Sequence, residues 1–238
     1  MAEAHRHIDI AGNVAQVLER AAAAAERAGR RADEVRVIAV AKYVEAERIR
    51  RAVAAGITDV GENYVQEAAG KIAEIGGQVR WHFIGHLQRN KAKTAAELFD
   101  LIHTVDSARL AHALDRRRRE AGRPLPVLVQ VNTSGEASKS GVEPDALPAL
   151  LEELSGLEFL CVHGLMTIGR LTGDVEASRG EFRRLAGLFD RAREMGLSNV
   201  AMEWLSMGMT RDFEIAIEEG ANMVRVGTAI FGPRATPA

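Results

Sequence analysis

A single cysteine, Cys161, leaves the chain without an internal disulfide, and its apolar, strand-like surroundings make it a small buried hydrophobe. Charge of one sign is equally lacking: 31 lysines and arginines against 33 acidic residues give a formal net charge of −2. That balance excludes sequence-independent nucleic-acid binding and attraction to an anionic membrane surface. The run Arg116-Arg117-Arg118-Arg119 is a local exception, but Asp115 and Glu120 flank it in a helical stretch, which reads as a solvated helix face. No window is apolar over the length of a membrane span, and residues 1–10 hold no apolar core of a signal peptide, so the expected location is the cytoplasm. No linker or low-complexity tract interrupts the sequence, and a single domain over residues 1–238 is expected.

What the chain does have is 47% hydrophobic residues in short apolar runs that alternate with helical patterns. A helical pattern over 8–28 carries Ile10, Val14, Val17, Leu18 and Ala21 on one face and stops at Gly29. Strands follow at 35–43, 57–60, 79–84, 101–105, 126–131, 159–166, 200–205 and 222–226. Helices are expected between them at 46–55, 65–75, 91–99, 107–121, 144–154, 175–195 and 213–219. Eight strands separated by helices argue for an α/β chain closed into a (β/α)8 TIM barrel with an extra N-terminal helix. An open, doubly wound sheet is the alternative, although no Gly-x-Gly-x-x-Gly follows the first strand.

In such a barrel the chemistry sits at the carboxyl ends of the strands. The first strand ends there in Lys42. Alternation puts Lys42 on the face of Ile38 and Val40, where apolar walls would favour a neutral, nucleophilic amine; the other reading is a lysine that snorkels to solvent. Ser206-Met207-Gly208-Met209-Thr210 after strand seven and Gly227-Thr228 after strand eight stand where such barrels bind phosphate, and small residues let backbone N–H groups approach an anion. Arg225 lies inside the eighth strand, either paired within the barrel, for instance with Glu203, or donating to a ligand. His82 in Trp81-His82-Phe83 is either a hydrogen-bonded core residue or a ligand contact, and His163 and Gln130 carry the same two readings. His82 and His86 have no carboxylate to complete a metal set, so no metal is expected.

The segments VIAVAKYV around Lys42, VGENYVQEAAGK at 60–71, WHFIGHLQRNK at 81–91, VLVQVNTSGEASKSG at 127–141, HGLMTI at 163–168 and LSMGMTRDFEIAIEEGANMVRVGTAIFG at 205–232 run from the first strand to the last. Together they resemble the pyridoxal phosphate homeostasis proteins of the YggS/PROSC type, similar in fold to the N-terminal barrel of alanine racemase (the fold type III barrel). The resemblance implies that Lys42 carries pyridoxal 5′-phosphate as a Schiff base. It also implies that Ser206, Met207, Gly227 and Thr228 hold the phosphate, that Arg225 faces the pyridine nitrogen, and that Asn63 and His82 lie near the ring. Ala41 and Thr210-Arg211 depart from the family pattern. An arginine keeps its proton, so the pyridine stays unprotonated and withdraws electrons weakly, which suits a carrier better than a catalyst. The implied partners are the cofactor, related vitamers and dependent apoenzymes, with the chain a monomer and no residue catalytic. The alternative is a racemase, which needs a second acid–base group; the only tyrosines are Tyr43 and Tyr64, and the sequence ends soon after strand eight.

Overall fold

A computed structural model of the chain describes residues 8–136, 139–169 and 175–233. Its strands are β1 (Arg36–Val40), β2 (Asp59–Glu62), β3 (Arg80–Phe83), β4 (Leu101–Val105), β5 (Leu125–Gln130), β6 (Leu160–Met166), β7 (Val200–Met209) and β8 (Met223–Val226). Each pairs in parallel with the next, and β8 pairs with β1, so the sheet closes and the open-sheet alternative falls. Helices α2 (Ala46–Ala54), α3 (Val65–Ile75), α4 (Ala92–Leu98), α5 (Ala108–Ala121), α6 (Leu147–Ser155), α7 (Arg179–Glu194) and α8 (Phe213–Glu218) connect successive strands. The additional helix α1 (Ile10–Arg27) precedes the barrel, and a four-residue α9 (Thr228–Phe231), not anticipated from the sequence, follows it.

Alternation along the strands sorts the apolar residues into two sets. Val37, Ala39, Val60, Val127, Val129 and Val162 face outward into the core shared with the helices. Ile38, Leu101, Leu128, Met166 and Met223 meet inside the barrel as a small separate cluster. Truncating one of these interior side chains to alanine removes about 2–5 kcal/mol, so this layer is a packed plug and not a pore. Helix α1 buries Ile10, Val14, Val17, Ala21, Ala24 and Ala25, one continuous stripe, and Asp9 caps it by accepting from the Gly12 N–H at 2.9 Å. Arg20 on α1 reaches Glu214 on α8 at 2.7 Å, tying the added helix to the barrel.

Several boundaries differ from the sequence reading. Strand β1 stops at Val40, so Lys42 lies in the turn after it and not in the strand. Strand β2 runs on to Glu62, because that buried carboxylate has a lysine partner, Lys71, at 2.6 Å. Strand β7 continues to Met209, so Ser206, Met207 and Gly208 belong to strand and not to a loop. Its pairing shifts between Ser206 and Met209, and Gly208 there has φ +87°. A Cβ on Gly208 would stand 2.5 Å from the Ala216 Cβ of α8, so glycine is required by both conformation and contact. Arg118 also departs from the expected solvated face: it is buried and donates to the carbonyls of Ala96 and Pro124 at 2.8 and 3.0 Å. Cys161 is half-buried and not a full core residue. Ala137 and Ser138 of the fifth-strand motif lie outside the described residues.

Candidate functional site

The carboxyl ends of β1, β2 and β8 meet at one rim of the barrel. Lys42, half-buried, occupies a tight turn whose next residue, Tyr43, has φ +62°. For a non-glycine residue that conformation costs about 1–2 kcal/mol and persists only where surrounding contacts impose it. Gly227, after β8, lies beside the end of β1: a Cβ there would stand 3.5 Å from the Val40 carbonyl oxygen. Its N–H donates to the Thr210 hydroxyl at 3.2 Å, which brings Thr210 to the same rim, and Thr228 is exposed at the start of α9. Met207 is fully buried with its side chain in the outer core, so it offers the site backbone groups alone.

Asn63 follows β2. A Cβ on Gly85 would stand 2.2 Å from the Asn63 carbonyl oxygen, so a side chain there is excluded and the two backbones press together. The side-chain oxygen of Asn63 is buried and has no hydrogen-bond partner in the protein. Such an acceptor calls for a donor from a bound group. Close by, the hydroxyls of Tyr43 and Tyr64 pair at 2.8 Å.

Inside the barrel, five polar side chains link Arg225 to the amino end of β2. Arg225 donates through Nη1 to the Ser206 Oγ at 2.6 Å and through Nη2 to the Thr167 carbonyl at 2.7 Å. Ser206 lies 3.0 Å from His103 Nδ1, His103 Nε2 lies 2.9 Å from His82 Nδ1, and His82 Nε2 lies 2.9 Å from Asp59 Oδ1. The chemistry of the two ends fixes the direction there. An arginine only donates and a carboxylate only accepts, so Arg225 donates to Ser206 at one end and Asp59 accepts from His82 Nε2–H at the other. Asp59 also accepts from Arg80 Nε and Nη2, each at 2.7 Å; burial alone would raise its carboxyl pKa, but bonds from His82, Arg80 and Thr58 hold it well below the ordinary range.

These bonds correct one sequence expectation. Arg225 does not pair with Glu203, whose carboxylate meets His163 at 3.1 Å on the outside of the barrel. His82 has both ring nitrogens within hydrogen-bond distance of protein groups, His103 and Asp59. Ser206 Oγ lies between Arg225 and His103 at 2.6 and 3.0 Å. Gln130 is a core residue, donating to the Ser140 carbonyl at 3.0 Å. His103 and Asp59 escaped notice, although His103 in Leu101-Ile102-His103-Thr104-Val105 is the same lone polar residue in an apolar strand that drew attention to His82. Among the described residues no group of three His, Cys, Asp or Glu side chains could hold a metal ion, and no helix is long and apolar enough to cross a membrane.

The row gives the fold a defined acid sensitivity. Burial, then the neighbouring His82 and Arg225, push the His103 pKa well below 6.5. In the unfolded chain this ring takes a proton near pH 6.5, so below that pH the unfolded state binds more protons and stability falls as pH drops toward the folded value. The loss from His103 begins below pH 6.5, whereas the loss from Asp59 begins only near pH 4. Urea unfolding at pH 7 and pH 5 should show this loss in the wild type and a smaller one in His103→Gln. Equal losses in both would contradict it.

Comparison with known proteins bears on what this rim binds. The family model of the alanine racemase N-terminal domain matches residues 13–235. The pyridoxal phosphate homeostasis protein of Pseudomonas aeruginosa is 46% identical over 227 residues, which is 94% of this chain and 96% of that protein. PipY of Synechococcus elongatus PCC7942, in a structure with PLP bound, superposes with a TM-score of 0.82 at 37% identity, covering 94% of this chain and all of PipY. An alanine racemase of Clostridium difficile, 16% identical, superposes with a TM-score of 0.72 over 94% of this chain and 57% of its own, a likeness of fold.

Proposed function

Since the chain belongs to the pyridoxal phosphate homeostasis protein family, built on the alanine racemase N-terminal barrel, we propose that it binds pyridoxal 5′-phosphate as a Schiff base on Lys42. It serves as an intracellular carrier of the cofactor, a monomer in the cytoplasm, without robust turnover of its own. When bound, the cofactor supplies an aldehyde that condenses with an amine and a pyridine ring that draws electrons from it. Lys42 provides the amine. Gly227, Thr228, Thr210 and the backbone of Met207 hold the phosphate at the rim, and the buried, unpaired oxygen of Asn63 fits a group that brings a donor. Ser206 joins that set at the phosphate, Arg225 faces the pyridine nitrogen, and His82 lies near the ring.

The observation that carries the carrier reading is the company Arg225 keeps. It is buried, it donates to the neutral acceptors Ser206 and Thr167, and burial lowers its pKa only to about 10, so it is charged at neutral pH. A fixed cation facing a pyridine nitrogen leaves that nitrogen unprotonated and the ring a weak electron sink. Release to dependent apoenzymes or exchange with related vitamers fits such a site, and sustained carbanion chemistry does not.

The direct test is the visible spectrum of the protein with pyridoxal 5′-phosphate before and after borohydride, followed by peptide mass mapping. One equivalent fixed on Lys42, with alanine racemisation no faster than free cofactor, is the expected result. Label scattered over surface lysines would overturn the binding reading, and brisk racemisation would overturn the carrier reading.

A further inference from the structure

Two peptide groups bracket Lys42, and one pair of side chains on α3 holds both. On the amino side, Lys71 Nζ donates to the Ala41 carbonyl at 2.7 Å. On the carboxyl side, Glu67 Oε1 accepts from the Tyr43 N–H at 2.6 Å. The two side chains are joined to one another, Lys71 Nζ donating to Glu67 Oε1 at 2.6 Å from four residues further along the helix. Lys71 is further held by Glu62 Oε1 at 2.6 Å, and the other oxygen of Glu62 accepts from the Asn63 N–H at 3.2 Å.

The arrangement is saturated and stiff. An ammonium group has three hydrogens, and Lys71 spends them on Ala41, Glu62 and Glu67, so it has none for a ligand. Lys71 is buried and Glu62 fully so, and Glu62 is planted in β2. The turn they grip is the one in which Tyr43 takes its left-handed φ of +62°. The backbone on either side of Lys42 is thus anchored to a buried ion pair, and the direction in which the Lys42 side chain leaves the chain is set by α3.

We propose that Glu67 and Lys71 are positioning residues for Lys42, fixing its amine relative to the phosphate end of the site at Gly227 so that covalent attachment is intramolecular once the phosphate is held. This rests on the reading of Lys42 given above. Attachment to a held ligand gains from a high effective concentration, and that gain falls steeply when the reacting groups are misplaced by about 1 Å. The clamp touches neither ring nor phosphate, so its effect should appear only for a ligand that has both an aldehyde and a phosphate.

Glu67 is the side chain to change, because it is half-buried, whereas removing Lys71 would strand the buried Glu62 charge. Three ligands separate the contributions: pyridoxal 5′-phosphate, pyridoxine 5′-phosphate without the aldehyde, and pyridoxal without the phosphate. Glu67→Ala should weaken the covalent complex with pyridoxal 5′-phosphate about tenfold or more while changing the binding of the other two by less than about twofold. Glu67→Gln, which keeps an oxygen to accept from Tyr43, should recover most of the loss. In the ligand-free chain, hydrogen exchange at the Tyr43 amide should be slow in the wild type and in Glu67→Gln and about tenfold faster in Glu67→Ala.

Unchanged covalent binding in Glu67→Ala, or an equal loss for all three ligands, would overturn the proposal, the second outcome marking a merely structural role. An unlabelled Lys42 in the wild type would instead defeat the functional reading on which the proposal stands, and it is seen before any variant is made.

Discussion

Lys42→Ala loses the borohydride-fixed adduct with pyridoxal 5′-phosphate, to below about 1% of the wild-type yield, because no other amine shares its placement against the phosphate end of the rim. Lys71 is the nearest candidate by sequence motif, but its three hydrogens are committed to Ala41, Glu62 and Glu67. The fold should survive. Lys42 is half-buried in a turn, outside both apolar clusters, so its truncation is expected to change stability by no more than about 1 kcal/mol. The variant should still bind pyridoxine 5′-phosphate, which needs only the phosphate contacts. Mass mapping of the reduced protein and a thermal unfolding curve decide both points, and a stoichiometric adduct on another residue of the variant would refute the assignment.

Arg225→Ala should be the most destabilising single change at the site, by about 3 kcal/mol. Burial alone argues the other way: lowering the guanidinium pKa from 12.5 to about 10 corresponds to about 3 kcal/mol of unfavourable charge burial, which the substitution relieves. Against that stand the bonds to Ser206 and Thr167, each worth about 1.5–3 kcal/mol when the donor is charged, and a cavity worth about 2 kcal/mol more. The losses exceed the relief. For a domain of this size about 3 kcal/mol lowers the melting temperature by roughly 6–12 °C. Arg225→Leu, which fills most of the space but donates nothing, should fall between, and cofactor affinity should drop in both. Melting at the wild-type temperature in Arg225→Ala would show that the polar row of the interior contributes nothing net.

Both effects start from residues that the sequence makes conspicuous. A lysine just past an apolar run and an arginine inside one are legible because a period of two assigns each to a face, and because a charge on that face needs an explanation. The barrel itself is legible for the same reason: eight apolar runs alternating with helical stripes leave few ways to bury both faces of a parallel sheet. Ser206 to Met209 misled because a glycine with hydroxyl-bearing neighbours reads as a loop. In the folded chain Gly208 makes a bulge where α8 presses on β7, and nothing local records that approach.

The sequence by itself determined the number and order of the strands, the inward faces of β1 and β8, and the family to which the motifs belong. Only the tertiary structure decided that Asp59, His82, His103, Ser206 and Arg225 form one hydrogen-bonded row, and that Glu67 and Lys71 grip the turn around Lys42. The physical reason is that alternation is a property of one strand. Which inward residues share a layer depends on the stagger between neighbouring strands around a closed barrel, and which helix reaches a turn depends on how that helix lies against the sheet.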